Sequence, residues 1–153
     1  MEQQLHHEAG NLIDVRGPRF GAAITTVVLA AAIIVQGTVG TVLLAFQFTM
    51  FTIAAFAGLR WSPYGNLFKL VRKTFDLGPP PATEPEAPPR FSQLMGFIFT
   101  GGGLLSMSLG AVGLGWVLAG IVLALSGLLA STGLCVGCEV YLLGKRVLGA
   151  AAR

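Results

Sequence analysis

Four apolar stretches, at residues 21–36, 39–59, 91–109 and 114–134, constrain this chain more than anything else in it. The first is just long enough with its flanks, and the others fully so, to cross a hydrocarbon layer of about 30 Å as a helix. Composition agrees: 54% of the residues are hydrophobic, 11% are charged and the mean hydropathy is +0.73. A surface of that kind cannot be kept in water, so the chain reads as an integral membrane protein. The residues before the first stretch are too many and too charged for an ordinary signal sequence. A second stretch follows almost at once, so the first is expected to be retained as a span.

Two of the connections are very short, at 37–40 and 110–113. With four spans, both termini and the long central segment then share one side of the membrane. All ten Lys and Arg residues fall on that side, and neither short hairpin carries one. By the positive-inside rule that side is the cytoplasm. The net charge of +3 and the pI near 9.2 therefore reflect topology. Basic residues scattered in small groups between apolar runs do not make a nucleic-acid surface, and no nucleic-acid partner is expected.

In the central segment Tyr64, Leu67, Phe68, Val71 and Phe75 recur at helical spacing, while Lys69, Arg72 and Lys73 lie off that stripe. Ser62 and Pro63 supply an N-cap and a first-turn proline. The pattern predicts a basic amphipathic helix along the cytoplasmic interface. The prolines of PPPATEPEAPP predict an extended, stiff connector within 77–90. An internal echo runs through these parts: Pro18-Arg19-Phe20 opens the first span and Pro89-Arg90-Phe91 the third. Each leads into a hairpin and then a short basic helix. Two parallel repeats, 18–76 and 89–149, would account for the echo, as would convergent use of the same boundary residues. Aligned at Gly58-Leu59 and Gly133-Leu134, the repeats set Arg60 opposite Cys135 and Pro63 opposite Cys138. The fold expected is all-α, one membrane domain over 1–153: four transmembrane helices in two hairpins, with two cytoplasmic interfacial helices.

LCVGCEV, residues 134–140, holds the chain's two cysteines at C-x-x-C spacing. On the repeat alignment Cys138 takes the first-turn place of Pro63, where unpaired backbone N–H groups stabilise a thiolate. Cys138 would then attack and Cys135, one turn earlier, would resolve. Glu139 suits a helix start electrostatically while partly opposing the thiolate. On a cytoplasmic face a permanent disulfide is not expected, so a transient disulfide or a persulfide is the sensible use. Two other readings stand beside this one. Gly133-x-x-x-Gly137 is also a small-residue packing motif in which cysteines are fillers. Zinc would need four ligands and finds two thiols with His6 and His7, an awkward adjacent pair, so no metal site is expected.

Asp14, Arg16 and Arg19 crowd the start of the first span. Either they anchor the chain at lipid phosphates, with Asp14 pairing one arginine, or one arginine turns inward to lower a thiol pKa or receive an anionic sulfur substrate. Gln36, Gln47, Thr49, Thr52, Ser106 and Ser108 can hydrogen-bond between spans. No charge lies at mid-membrane, which argues against a proton relay or an ion pump. The Gly101-Gly102-Gly103 run permits a close approach or a break, so a small-solute path stays open.

Four motifs, DVRGPRF, SPY…LF, PPRF and GCEVYLL, together make the chain resemble an uncharacterised bacterial family of four-helix membrane proteins, common in actinobacteria and described as a domain of unknown function. The resemblance covers essentially the whole chain. It implies the bacterial cytoplasmic (inner) membrane and no established activity. Members of that family are often encoded near thioredoxin-like proteins and rhodanese-type sulfurtransferases, which implies, by association, a thiol role for Cys135 and Cys138 and a soluble partner of that kind. The vitamin K epoxide reductase-like and DoxX-like families also place thiol chemistry near quinones in four helices. The former resemble this chain in a C-x-x-C near a helix end, but present it on the oxidising face. No haem, flavin or nucleotide signature is present, and no cofactor is expected. The expected function is thiol–disulfide exchange or sulfur transfer at a cytoplasm-facing C-x-x-C, in a lipid-embedded protein that could be a homo-oligomer. The rival is a non-catalytic scaffold or small-solute conduit in which the cysteines only pack.

Overall fold

A computed structural model describes residues 12–151. In chain order the elements are β1 (Leu12–Asp14), α1 (Arg16–Val35), α2 (Gly37–Thr52, extended by a π-helical turn Ile53–Ala57), α3 (Pro63–Thr74), β2 (Thr83–Pro85), α4 (Ala87–Ser108), α5 (Val112–Thr132) and α6 (Val136–Ala151). The all-α expectation stands, with one small ribbon added. Three segments are long and apolar enough to cross a membrane: Arg16–Val35, Gly37–Ala57 and Val112–Thr132. At 22 residues α4 has the length as well. Its opening turns carry Pro88, Pro89, Arg90, Ser92 and Gln93, which lower its hydropathy.

The four long helices close a ring, in which α1 packs on α2 and α5, and α4 packs on α5 and α2. Outside the ring, α3 lies on α1 and α6 on α4. Each hairpin is thus followed by a helix that returns to that hairpin's first helix.

Inner positions recur at three- and four-residue spacing and are mostly small or polar: Ala22, Thr25, Leu29 and Ala32 on α1, and Gly115, Ala119, Val122 and Ser126 on α5. Large apolar side chains such as Val27, Ile34, Val42, Leu105 and Val117 face outward and are more than half exposed. Water would penalise that pattern; lipid does not. Close packing and hydrogen bonds must therefore hold the helices together, because moving a leucine from lipid to protein gains little. Gly103 and Gly115 show how closely helices approach, since a Cβ on Gly115 would lie 2.7 Å from the Gly103 carbonyl oxygen. The glycine run of α4 is a close approach, and the helix passes through it unbroken.

Two boundaries differ from expectation. The connector is shorter than 77–90, because α4 begins at Ala87 and takes Pro88 and Pro89 into its first turn, where a missing N–H costs nothing. The remainder is not a free spacer. Thr83–Pro85 pairs antiparallel with β1, setting Leu12 opposite Pro85, Ile13 opposite Glu84 and Asp14 opposite Thr83. The helix expected in the central segment is present as α3, with the Ser62 hydroxyl accepting the Gly65 N–H at 3.4 Å. Its apolar stripe divides. Phe68 is buried beside Phe20, whereas Leu67 and Phe75 stay exposed, as does Leu70 off the stripe.

Candidate functional site

The two cysteines sit at a helix break whose cause is local. α5 ends at Thr132, Gly133 turns left-handed with φ +80°, and its N–H returns to the Leu129 carbonyl. Such a cap needs glycine and stops the helix. Helix α6 restarts at Val136, so Cys135 is the residue before its first turn. The Cys135 carbonyl accepts the Glu139 N–H at 3.0 Å. Its Sγ accepts the Cys138 N–H at 3.3 Å. Those are the two bonds of an N-cap residue. Cys135 therefore occupies the cap and faces the positive end of the helix, with Cys138 in the first turn. The sequence alignment with Pro63 is displaced accordingly. Ser62, which also accepts an N–H from three residues on, is the counterpart of Cys135.

Both cysteines are half-buried, with their sulfurs at disulfide-bonding distance and Cα atoms 5.2 Å apart. Gly133 and Gly137 do not form one small-residue stripe, because the first lies beyond α5 and the second inside α6. Gly137 instead seats α6 on α4: a Cβ there would fall 2.8 Å from the Cβ of Ser92. Glu139 is exposed in the first turn.

The arginines of the two P-R-F motifs act as helix-end caps across the ring. Arg19 Nη2 donates to the carbonyls of Ala130 and Ser131 at 3.2 and 3.3 Å, at the end of α5. Arg90 donates from Nε to Ala55 and from Nη2 to Phe56 at 2.7 and 2.9 Å, at the end of α2. A cation there satisfies orphan carbonyls and opposes the negative end of the helix dipole. Each hairpin's first helix thus ties down the other hairpin's second. The phenylalanines correspond too, Phe20 pairing with Phe68 and Phe91 with Tyr141, both at 5.6 Å between ring centroids.

Asp14 and Arg16 form a clamp. Arg16 Nη2 meets Asp14 at 2.9 Å and its Nη1 donates to the Leu77 carbonyl at 3.1 Å, while Arg72 approaches Asp14 at 3.5 Å. The Arg16 guanidinium holds the Asp14 carboxyl below its ordinary pKa. No hydrogen bond or ion pair joins Asp14, Arg16 or Arg19 to either cysteine. His6 and His7 lie outside the described residues, and among the described residues no group of three His, Cys, Asp or Glu gathers.

Between the six helices and the ribbon, at the start of α6, lies a cavity of about 690 Å³, with Cys135 but not Cys138 in its wall. Arg60, Lys69 and Arg72 stand at its polar end; Ala22, Phe51, Phe99 and Val122 line its interior. On one side Tyr64 donates its hydroxyl to Gln47 Oε1 at 2.9 Å, and Gln47 Nε2 donates to Thr25 Oγ1 at 3.0 Å. Gln47 and Thr25 are buried, and burial pushes the Tyr64 pKa up to about 12.

A family model described as a domain of unknown function, DUF4395, matches residues 13–146. The chain belongs to the DUF4395 family. No curated protein and no solved structure matches it. The DUF4395 match takes in the Asp14 clamp, both capping arginines and the two cysteines. Sequence reasoning on this DUF4395 domain singled out the cysteines and the P-R-F arginines but missed the capping role of Arg90, the Tyr64–Gln47–Thr25 chain and the cavity. The P-R-F echo was the signal that pointed toward Arg90.

Proposed function

We propose that this domain is a thiol–disulfide exchange protein of the bacterial cytoplasmic membrane, acting through Cys135 and Cys138 on a soluble thioredoxin-like partner. The reading rests on the Cys135 Sγ at the N-cap of α6, accepting a backbone N–H within bonding distance of Cys138. A thiol at a helix N-terminus is the more acidic one, which makes Cys135 the attacking sulfur and Cys138 the resolving one. Four spans are proposed, with α4 as the fourth and with both termini and the cysteines facing the cytoplasm. The absence of basic residues from both short hairpins supports that orientation. Exposed Trp61, Leu67, Leu70 and Phe75 beside Lys69 and Lys73 support an interfacial α3. The matched arginine caps and ring pairs support a chain made of two copies of a hairpin-plus-helix unit.

The exchange balances without a further reagent. The Cys135 thiol gives up its proton and the thiolate attacks a disulfide of the partner. The partner's S–S bond breaks, its leaving sulfur takes a proton, and a mixed disulfide forms. Cys138 then loses its proton and attacks Cys135 Sγ, and the mixed disulfide breaks. The partner departs as a dithiol with two electrons and two protons, leaving the Cys135–Cys138 disulfide. The reverse sequence oxidises the partner.

Iodoacetamide treatment of the reduced protein at pH 7 should modify Cys135 faster than Cys138, because the backbone N–H groups at the start of α6 face its sulfur. The Cys138→Ser variant should trap a mixed disulfide on Cys135 with an oxidised thioredoxin. If both reduced thiols resist alkylation until the protein unfolds, the cysteines only pack and the scaffold reading replaces this one.

A further inference from the structure

We infer that the cavity beside Cys135 binds a single acyl chain bearing an anionic head. This goes beyond the thiol reading and does not depend on it. The volume of about 690 Å³ falls in the range of sites for small organic ligands. Its two ends differ in chemistry, and that difference selects the ligand.

The inner end offers hydrocarbon. Ala22, Phe51, Phe99 and Val122 supply the surface, and Gly96 adds no side chain to it. The hydroxyls of Tyr64, Thr25 and Ser126 in the wall are already engaged inside the protein. Tyr64 donates to Gln47, Thr25 accepts from Gln47, and Ser126 donates to the Leu123 carbonyl at 3.0 Å while accepting from Thr26 at 3.1 Å. Among the described residues no buried side-chain polar atom lacks a partner. A polar solute entering this end would shed its hydration and gain little in return, whereas an alkyl chain sheds nothing. A water-filled conduit is correspondingly disfavoured.

The outer end offers cations. Arg60, Lys69 and Arg72 line it. Lys69 Nζ contacts only neutral oxygens, the Arg60 carbonyl at 3.5 Å and Asn66 Oδ1 at 3.4 Å. Asp14, the one acidic residue in the wall, is bound more closely by Arg16 at 2.9 Å than by Arg72 at 3.5 Å. The exposed Arg60 side chain makes no ion pair among the described residues. Guanidinium and ammonium groups without a full counter-charge fit a carboxylate or phosphate head. A free fatty acid and an anionic lysophospholipid share this chemistry.

The test uses the full chain, delipidated in a neutral detergent, with cis-parinaric acid as fluorescent probe. Saturable one-to-one binding is expected, and at least tenfold weaker binding of the alcohol with the same chain. Arg60→Gln with Lys69→Gln should weaken the acid by a similar factor, and Leu129→Trp, which fills the cavity, should abolish binding. Displacement by oleate or by lysophosphatidylglycerol supports the proposal and identifies the source of the head. If the alcohol binds as well as the acid, or if neither variant changes binding, the probe sits on the outer apolar surface and the proposal fails. Should Leu129→Trp not fold, the exposed Arg60→Gln change alone decides. Fluorescence reads binding whether or not the thiols react, so this inference and the thiol reading fail independently.

Discussion

The helices that follow the two hairpins, α3 and α6, sit in corresponding places and are held very differently. In the first half Ser62 caps α3, Phe68 is buried, Tyr64 reaches Gln47 in the ring, and Asp14 ties Arg72 to the ribbon. In the second half α6 buries none of its residues, and Val140, Leu143, Val147 and Leu148 remain more than half exposed. What the two share is the frame: a crossing arginine at the preceding helix end, an aromatic pair, and a cap whose side chain accepts an N–H three residues on. Where the first half has serine in that cap, the second has cysteine. A sulfur accepts a hydrogen bond more weakly than a hydroxyl oxygen but can do chemistry. The looser half therefore carries the two cysteines, and the tighter half supplies rigidity and the cationic end of the cavity.

The sharpest way to break the frame is to remove its arginines. Arg90 makes two short bonds, one partly buried at 2.7 Å and one exposed at 2.9 Å, while those of Arg19 are longer and both exposed, at 3.2 and 3.3 Å. Hydrogen bonds from a charged donor contribute about 1.5–3 kcal/mol, and exposed helix-end charges less than about 1 kcal/mol. Arg90→Ala should destabilise the protein by about 3 kcal/mol and Arg19→Ala by about 1 kcal/mol. Unfolding in mixed micelles titrated with a denaturing detergent measures both. A larger loss at Arg19 would show that the seam leading to the cysteines, not the one leading to α3, carries the ring.

Exchanging the cap residues probes a smaller difference. Ser62→Ala should cost about 1 kcal/mol, the usual loss for an N-cap. Cys135→Ser keeps an acceptor in place and strengthens it, so stability should hold or rise by about 0.5 kcal/mol. If Cys135→Ser is instead the more damaging change, the sulfur is a packed filler and the correspondence with Ser62 is only geometric.

The apolar runs placed all four long helices to within a few residues, because lipid makes length and hydropathy decisive. Ser62-Pro63 likewise announced the start of α3. The ribbon escaped notice since each strand has three residues and β2 ends in proline, too little for a period-two pattern. Cys138 lies in the first turn of α6, where the alignment put it; but alignment at Gly58 and Gly133 ignores the longer loop before α3, so it did not reveal that Cys135 takes the cap position of Ser62. Arg19 and Arg90 were visible as an echo, but their partners lie on the opposite hairpin, and no local pattern reveals a contact across the ring. The cavity is hardest to read of all, being space between six helices that no one of them outlines.

The smallest effect expected is a pH dependence confined to the first half. Asp14 is held below its ordinary value of 3.8, chiefly by hydrogen bonds from Arg16. A lowered carboxyl stabilises the fold above the ordinary value, and that contribution is lost as pH falls through the lowered one. Glu84, opposite Ile13 on the same ribbon, is raised above 4.5 by burial. Its sign is opposite: charge on Glu84 disfavours the fold, and acidification through the raised value relieves that cost. Ribbon and α3 should therefore tighten slightly as Glu84 protonates and loosen as Asp14 does. With Arg16 and Arg72 side chains 29% and 39% exposed, the amplitude should stay below about 1 kcal/mol. Trp61, beside the Ser62 cap, reports the change by fluorescence in a Trp116→Phe background. Asp14→Asn should abolish the acid loosening and Glu84→Gln the preceding rise, while protease sensitivity of α6 stays constant over the same range. Loosening of α6 in step with α3 would mean the two halves share one latch, and that the contrast between them is one of contacts rather than of independent stability.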